Sequence, residues 1–348
     1  MENLPILAIT LGDPCGAGPE ITAKALLNPD IYKICRPLVI GDACVLSQAI
    51  GFVSLENRLT VRAVSSAADA RFTYGTVDVF EVGAVKDASA LAIGTVNALG
   101  GEAAFSYVKT AIELAMAGEV HGTVTNAISK EAICLAGHRF SGHTEIYSHY
   151  TNTKKYCMML AHGDFRVTHV STHVSLREAC DRCKRERILE VIELSHRACL
   201  ELGIENPKIA VAALNPHAGE NGMFGTEERE EILPAIADAK AKGIAAYGPC
   251  PPDTVFSQAI GGWYDIVVCM YHDQGHIPTK VQSFVYDRAR GAWNAVAGVN
   301  VTLGLPIVRT SVDHGTALDH AGKGDANALS LENAIEYGAL LARSRIKK

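Results

Sequence analysis

Short apolar runs recur along the chain, and longer stretches between them return to apolar residues every three or four positions. Residues 6–11, 38–40, 77–82, 122–125, 156–160, 167–170, 209–213, 266–269 and 307–309 have the length and content of strands. Residues 102–119, 185–203 and 226–243 carry helical periodicity. The last of these begins with Thr226 as an N-cap, has acids in its first turn and ends at Gly243, the chemistry of a helix start and stop. Such alternation predicts an α/β fold with a largely parallel sheet. No repeat or low-complexity linker marks a boundary. If there are two domains, the chain is expected to pass between them more than once.

Composition adds limits. A chain of 348 residues is long enough for two domains. It is 48% hydrophobic and 20% charged, ordinary for a soluble globular protein. A net charge of −6 leaves no basic footprint for nucleic acid, so an anionic ligand must be held by local charges. No apolar run approaches a membrane span, and "MENLPILAIT" lacks the basic start of a signal peptide. Ten scattered cysteines suit reduced thiols in the cytoplasm. The CxxC pair Cys180 and Cys183, in "ACDRCK", reads as a solvated helix face rather than a zinc or redox motif.

"AITLGDPCGAGPE" passes from a strand to a helix through Gly12, Gly16 and Gly18, with Pro19 suited to the first helical turn. Its G-x-x-x-G-x-G spacing is not the Rossmann register, and no Walker lysine follows. Among thirteen histidines, four lie just after β-like runs or beside small polar residues: His143, His173, His217 and His272. Ligands of open α/β sheets gather outside the carboxyl ends of strands. His173, His217 and His272 could therefore converge on a divalent metal, leaving positions open for substrate oxygens. Lys280, Arg309 and Thr144 at a helix start are the groups suited to a phosphate. "MYHDQGHIPTK", just after the apolar "IVVC", supplies both His272 and Lys280 and is either an ordinary strand exit or one wall of an active site.

"GDPCGAGPE", "SGHTE", "STH", "LNPHAGENGMFG", "PPDTVF", "MYHDQGHIPTK" and "GVNVTLGLPIVRTSVDHGTALDHAGKG" together resemble the 4-hydroxythreonine-4-phosphate dehydrogenase (PdxA) family, over Gly12 to Gly324. The resemblance implies an isocitrate/isopropylmalate dehydrogenase-like fold, two α/β/α domains around a central cleft, which is not Rossmann. Domain 1 is expected to span 1–125 plus 300–348, and domain 2 to span 126–299. It also implies a homodimer with active sites at the subunit interface. His173, His217 and His272 fall on the family's metal ligands, for one divalent ion (Zn, Mg, Mn or Co) per site. His143, Thr144, Lys280, Asn300 and Arg309 fall on its substrate contacts. Asp253 matches an aspartate near the metal, and Asp253, Asp273 and a metal-bound water are the candidates for general base. Cys15 and Ala17 depart slightly from the family loop, and "TNAISK" leaves Lys130 without a role. "SFVYDRARGAWNAVAG" is longer than in compact members and reads as a hairpin turning at Arg290-Gly291.

The implied chemistry is oxidation of a secondary alcohol by NAD or NADP, then loss of CO2 from the β-keto acid. Three readings follow. One is a dehydrogenase of D-threonate or D-erythronate 4-phosphate, giving dihydroxyacetone phosphate. Another is the vitamin B6 enzyme, acting on 4-phosphohydroxy-L-threonine. The third is a metal- and anion-binding sensor without catalysis, against which the intact set of ligands and anion contacts weighs. "NPHAGENGMFG", "YGPCPPDTVF" and "HDQGHIP" favour the sugar-acid branch, with His276 near the metal end of the pocket.

Overall fold

The computed structural model describes residues 4–289 and 292–346. The chain forms two compact units, Met1–Lys154 with Leu305–Lys348, and Lys155–Gly304. The first begins with β1 (Ile6–Thr10), α1 (Gly18–Leu26), α2 (Ile31–Ile34), β2 (Arg36–Gly41), α3 (Ala43–Phe52) and β3 (Thr60–Val64). It continues through β4 (Thr76–Glu81), α4 (Ala98–Met116), β5 (Gly122–Thr125), α5 (Lys130–Leu135) and α6 (His143–Tyr150). The second unit holds β6 (Cys157–His162), β7 (Phe165–His169), α7 (Leu176–Asp181), α8 (Arg185–Glu201), β8 (Ile209–Ala212) and α9 (Leu233–Ala241). It continues through β9 (Ala246–Cys250), α10 (Val255–Ile260), β10 (Ile266–Cys269), α11 (His272–Ser283), β11 (Phe284–Asp287), β12 (Ala292–Val296) and β13 (Val299–Leu303). The chain then returns to the first unit with β14 (Arg309–Val312) and α12 (Leu329–Ile346).

The α/β class is as expected. In the first unit six strands run parallel in the order β3-β4-β2-β1-β5-β14. Leu7, Ala8 and Ile9 are fully buried, as befits a central strand covered on both faces. In the second unit the order is β13-β6-β7-β10-β8-β9, with the β13/β6 and β6/β7 pairs antiparallel and the others parallel. β3, β9 and β13 were not anticipated, and β14 meets the strand expected over 307–309 only at Arg309. β9, "AYGPC", contains glycine and proline, and its strand state comes from pairing with β8 rather than from its own composition.

The unit boundaries differ from those expected. Residues 126–154 belong to the first unit and 300–304 to the second. The cause is packing that local pattern does not reveal. α5 is pressed against α4 so closely that a Cβ on Gly101 would lie 1.9 Å from the carbonyl O of Ala132. Tyr147 on α6 donates to Thr123 on β5 at 2.9 Å, while β13 pairs along its whole length with β6.

The hairpin expected in the long stretch is present, with β11 and β12 antiparallel. Its expected turn at Arg290-Gly291 lies outside the described residues. The stretch 226–243 opens with a π-type turn, Glu228–Ile232, before α9. The carbonyl of Thr226 accepts from the N–H groups of Arg229 and Glu230. Cys180 and Cys183 are both thiols, but Cys183 is not on a solvated face. It is buried with its Sγ 3.6 Å from the sulfur of Met270.

Candidate active site

β7, β10 and β8 are neighbouring parallel strands of the second unit. Their carboxyl ends lead to His173, His272 and His217 respectively. The first two exits are tied together, because Ser171 Oγ donates to the carbonyl of Met270 at 3.0 Å. Gln274 ties the second to the third, accepting from the Met270 N–H and donating to the Ala213 carbonyl, both at 2.7 Å. The "MYHDQGHIPTK" stretch thus leaves its strand directly into a helix, α11. Gly275 is required there, since a Cβ would meet His169 Nε2 at 2.5 Å.

The rings of His173 and His272 have centroids 5.6 Å apart. Nδ1 of His272 is 2.6 Å from Asp273 Oδ1, which fixes the ring and leaves Nε2 for a ligand. His217 stands apart, with its Nδ1 3.6 Å from Glu220 Oε2. It occupies a left-handed turn in which residues 217–221 all have positive φ. Buried Glu228 anchors that loop, accepting from the N–H groups of Leu214 and Asn215 at 2.9 and 2.8 Å. Among the described residues, no three His, Cys, Asp or Glu side chains are grouped so as to hold a metal ion. The donor set fits a divalent ion in kind, with three imidazoles on loops leaving three adjacent strands. His173 and His272 are the pair already together. Asp253 is exposed in the turn before α10.

Lys280 lies two turns beyond His272 on the same face of α11, with its Nζ 4.2 Å from the ring centroid of Phe284. Asn300 lies on β13, and its Oδ1 is buried without a hydrogen-bond partner among the described residues. Such an orphan acceptor suits a bound donor.

The first unit holds the other expected contacts. Arg309, 3% exposed, starts β14 and donates from Nη2 to Thr125 Oγ1 at 3.0 Å. Its guanidinium carbon is 5.6 Å from the centroid of the Tyr147 ring. Burial pushes the Arg309 pKa down to about 10, partly offset by Tyr147. His143 opens α6 after Gly142, whose φ of +149° suits glycine. Glu145 accepts from the Ser141 N–H and closes the same turn. Burial, then the charge of Arg309, holds the His143 pKa well below its ordinary value. Nε2 of His143 is buried without a partner among the described residues, and Thr144 occupies the first turn of α6.

The match to the model of the pyridoxal phosphate biosynthetic protein PdxA covers residues 33–338. The chain belongs to the PdxA family. Membership makes it an NAD(P)-dependent dehydrogenase, in a family that depends on metal. It is 42% identical over 345 residues to the D-threonate 4-phosphate dehydrogenase of Cupriavidus necator, covering 99% of each chain. It is 44% identical over 342 residues to the 4-hydroxythreonine-4-phosphate dehydrogenase of Desulforapulum autotrophicum, covering 98% of this chain and 96% of that one. The crystal structure of a 4-hydroxythreonine-4-phosphate dehydrogenase from Klebsiella pneumoniae matches with a TM-score of 0.84 at 40% identity, covering 98% of each chain.

Several site residues of this PdxA-family chain carry no motif of their own. His169 is fully buried behind α11, and burial with the neighbouring histidines pushes its pKa down to about 3. Its place at the end of "RVTH", four residues before His173, was the available clue. Tyr147, Thr125 and Glu228 are recognisable only once their partners are known.

Proposed function

We propose that this PdxA-family dehydrogenase oxidises and decarboxylates a 4-phosphorylated 3-hydroxy acid, D-threonate or D-erythronate 4-phosphate, to dihydroxyacetone phosphate and CO2. The observation that carries this is one helix face, that of α11, on which His272 and Lys280 stand two turns apart. One belongs to the metal end and the other to the phosphate end of a short substrate. His173, His217 and His272 would hold one divalent ion, Zn, Mg, Mn or Co. A bound ion supplies Lewis acidity to the substrate oxygens.

Lys280, Asn300, Arg309, His143 and Thr144 bind the phosphate end, away from the reacting carbon. That remote binding energy orients the alcohol toward the nicotinamide of NAD or NADP. The C3 hydroxyl gives its proton to a carboxylate as hydride leaves C3. Asp273 is engaged with Nδ1 of His272, so Asp253 is the carboxylate assigned to accept that proton. The β-keto acid then loses its carboxylate as CO2, the electron pair of the C1–C2 bond passes to the C3 carbonyl oxygen, and protonation at C2 gives dihydroxyacetone phosphate. The assembly is a cytoplasmic homodimer with active sites at the subunit interface.

A second reading, 4-phosphohydroxy-L-threonine as substrate, is favoured by the names of the Desulforapulum and Klebsiella relatives. The two substrates differ at C2, a hydroxyl in one and an ammonium in the other. A site built for either rejects the other strongly. A side-by-side assay of NADH or NADPH formation, with divalent metal present, separates them. The sugar-acid 4-phosphates are expected to show the higher kcat/KM, and a clear preference for the amino acid overturns the choice.

A further inference from the structure

α11 carries His272, His276 and Lys280 at successive i,i+4 positions, so all three share a face. His276 thus stands between the residue assigned to the metal and the residue assigned to the phosphate. Its ring is stacked on that of His272, with centroids 3.5 Å apart and planes 11° from parallel. Its Nδ1 is 2.9 Å from the carbonyl O of His272 and 3.2 Å from Nε2 of His169.

The contact with the carbonyl bears on where His276 carries its hydrogen. A carbonyl oxygen only accepts, so Nδ1 of His276 must carry a hydrogen. The reverse tautomer would set a nitrogen lone pair against an oxygen lone pair at 2.9 Å. The ring of His169 lies beside the same carbonyl, so the His272 carbonyl is shared by the two buried-side imidazoles, while Nδ1 of His169 is 3.4 Å from the carbonyl O of Met158. A neutral imidazole has a single N–H, so Nε2 of His276 is left as an acceptor.

We propose that His276 is a specificity-determining residue whose Nε2, kept free of hydrogen because Nδ1 donates to the carbonyl of His272, accepts the hydrogen of the substrate's C2 hydroxyl. The proposal rests on the reading of the substrate as a phosphorylated sugar acid. In such a compound C3 bears the hydroxyl that is oxidised and C4 bears the phosphate ester. The C2 hydroxyl is then the one hydroxyl left to be recognised. A hydroxyl also carries no charge to be repelled by Lys280, which follows His276 by one turn.

Two measurements test this. Long-range 1H–15N correlation spectra of the metal-free protein report the tautomer directly, with His276 identified by the signals lost in His276→Phe. The pattern of a neutral ring protonated at Nδ1 is expected, and a ring protonated at Nε2 overturns the proposal. In the second, kcat/KM is compared for D-threonate or D-erythronate 4-phosphate and for the 2-deoxy analogue, 3-hydroxy-4-phosphobutanoate. The wild type is expected to prefer the hydroxylated compound by roughly 10- to 100-fold. His276→Phe, which keeps a stacked ring but no acceptor, should bring that preference to within about threefold. His276→Gln, with an amide oxygen available, should restore part of it. Undiminished preference in His276→Phe overturns the role of His276 while leaving the sugar-acid reading intact. Wild-type turnover of the amino-acid substrate alone overturns the sugar-acid reading and this proposal with it.

Discussion

Arg309 offers the sharpest test of the phosphate assignment, because activity and stability are expected to respond in opposite senses. Arg309→Met keeps the length and much of the volume of the side chain but removes its charge. In the folded chain Arg309 is 3% exposed, and its guanidinium donates to Thr125 Oγ1 at 3.0 Å and lies over Tyr147. A charge-assisted hydrogen bond to a bound phosphate contributes about 1.5–3 kcal/mol. Its loss should lower kcat/KM for the phosphorylated substrate by roughly 10- to 150-fold, since about 1.4 kcal/mol is a factor of ten. Stability should move little or rise. Burial already disfavours the charged form of Arg309, bringing its pKa down to about 10, and apolar replacement of buried charge is often neutral or stabilising. The assay pairs steady-state kinetics with thermal denaturation of the same preparations. An unchanged kcat/KM, or a fall of many degrees in Tm together with the lost activity, would refute the reasoning. The first outcome removes Arg309 from the site, and the second makes it a structural residue.

If His173, His217 and His272 share one ion, alanine at any of them should abolish metal retention on dialysis without unfolding the chain. Wild-type metal content in His217→Ala would dissolve the shared site. Glu228→Gln places an amide where the carboxylate accepts from Asn215 Nδ2 at 3.0 Å. It should cost about 1–3 kcal/mol in denaturant unfolding and weaken metal retention through the His217 loop, and wild-type behaviour in both would show the anchor to be dispensable. Gly101→Ala puts a Cβ 1.9 Å from the Ala132 carbonyl O, so a loss of at least about 1–3 kcal/mol is expected, and an unchanged unfolding midpoint would contradict the packing of α5 on α4. His143 has its pKa held below the ordinary 6.5 by burial and by Arg309. The unfolded chain therefore binds this proton first, and stability falls as pH drops below 6.5, by up to about 1.4 kcal/mol per pH unit. His143→Gln should lose less stability between pH 7 and pH 5 than the parent, and parallel curves would count against this.

The pattern of apolar runs already contained the class of fold, because a strand covered on both faces has to be apolar along its length. β5 and β10 have the bounds their sequence predicts. Histidines just beyond such runs were legible as site candidates for the same reason: strand ends are where an α/β sheet exposes polar groups. The spacing of His272, His276 and Lys280 puts them on one face only because the segment is a helix, which its Gly275 and Pro278 do not suggest. Other features depended on which segments meet. Residues 126–154 join the first unit because α5 and α6 pack on α4 and β5, contacts between segments whose own periodicity is satisfied wherever they dock. β9 is a strand through its pairing with β8, despite its glycine and proline. The ring of His276 lies against that of His169, 107 positions away in sequence. Whether Arg309 is a surface charge or a buried one depends on Tyr147 and Thr125. Local periodicity reports how a segment presents its apolar face. Which polar groups that face brings into hydrogen-bond range is decided only when the segments pack, because hydrogen bonds act over about 3 Å and sequence separation does not limit them.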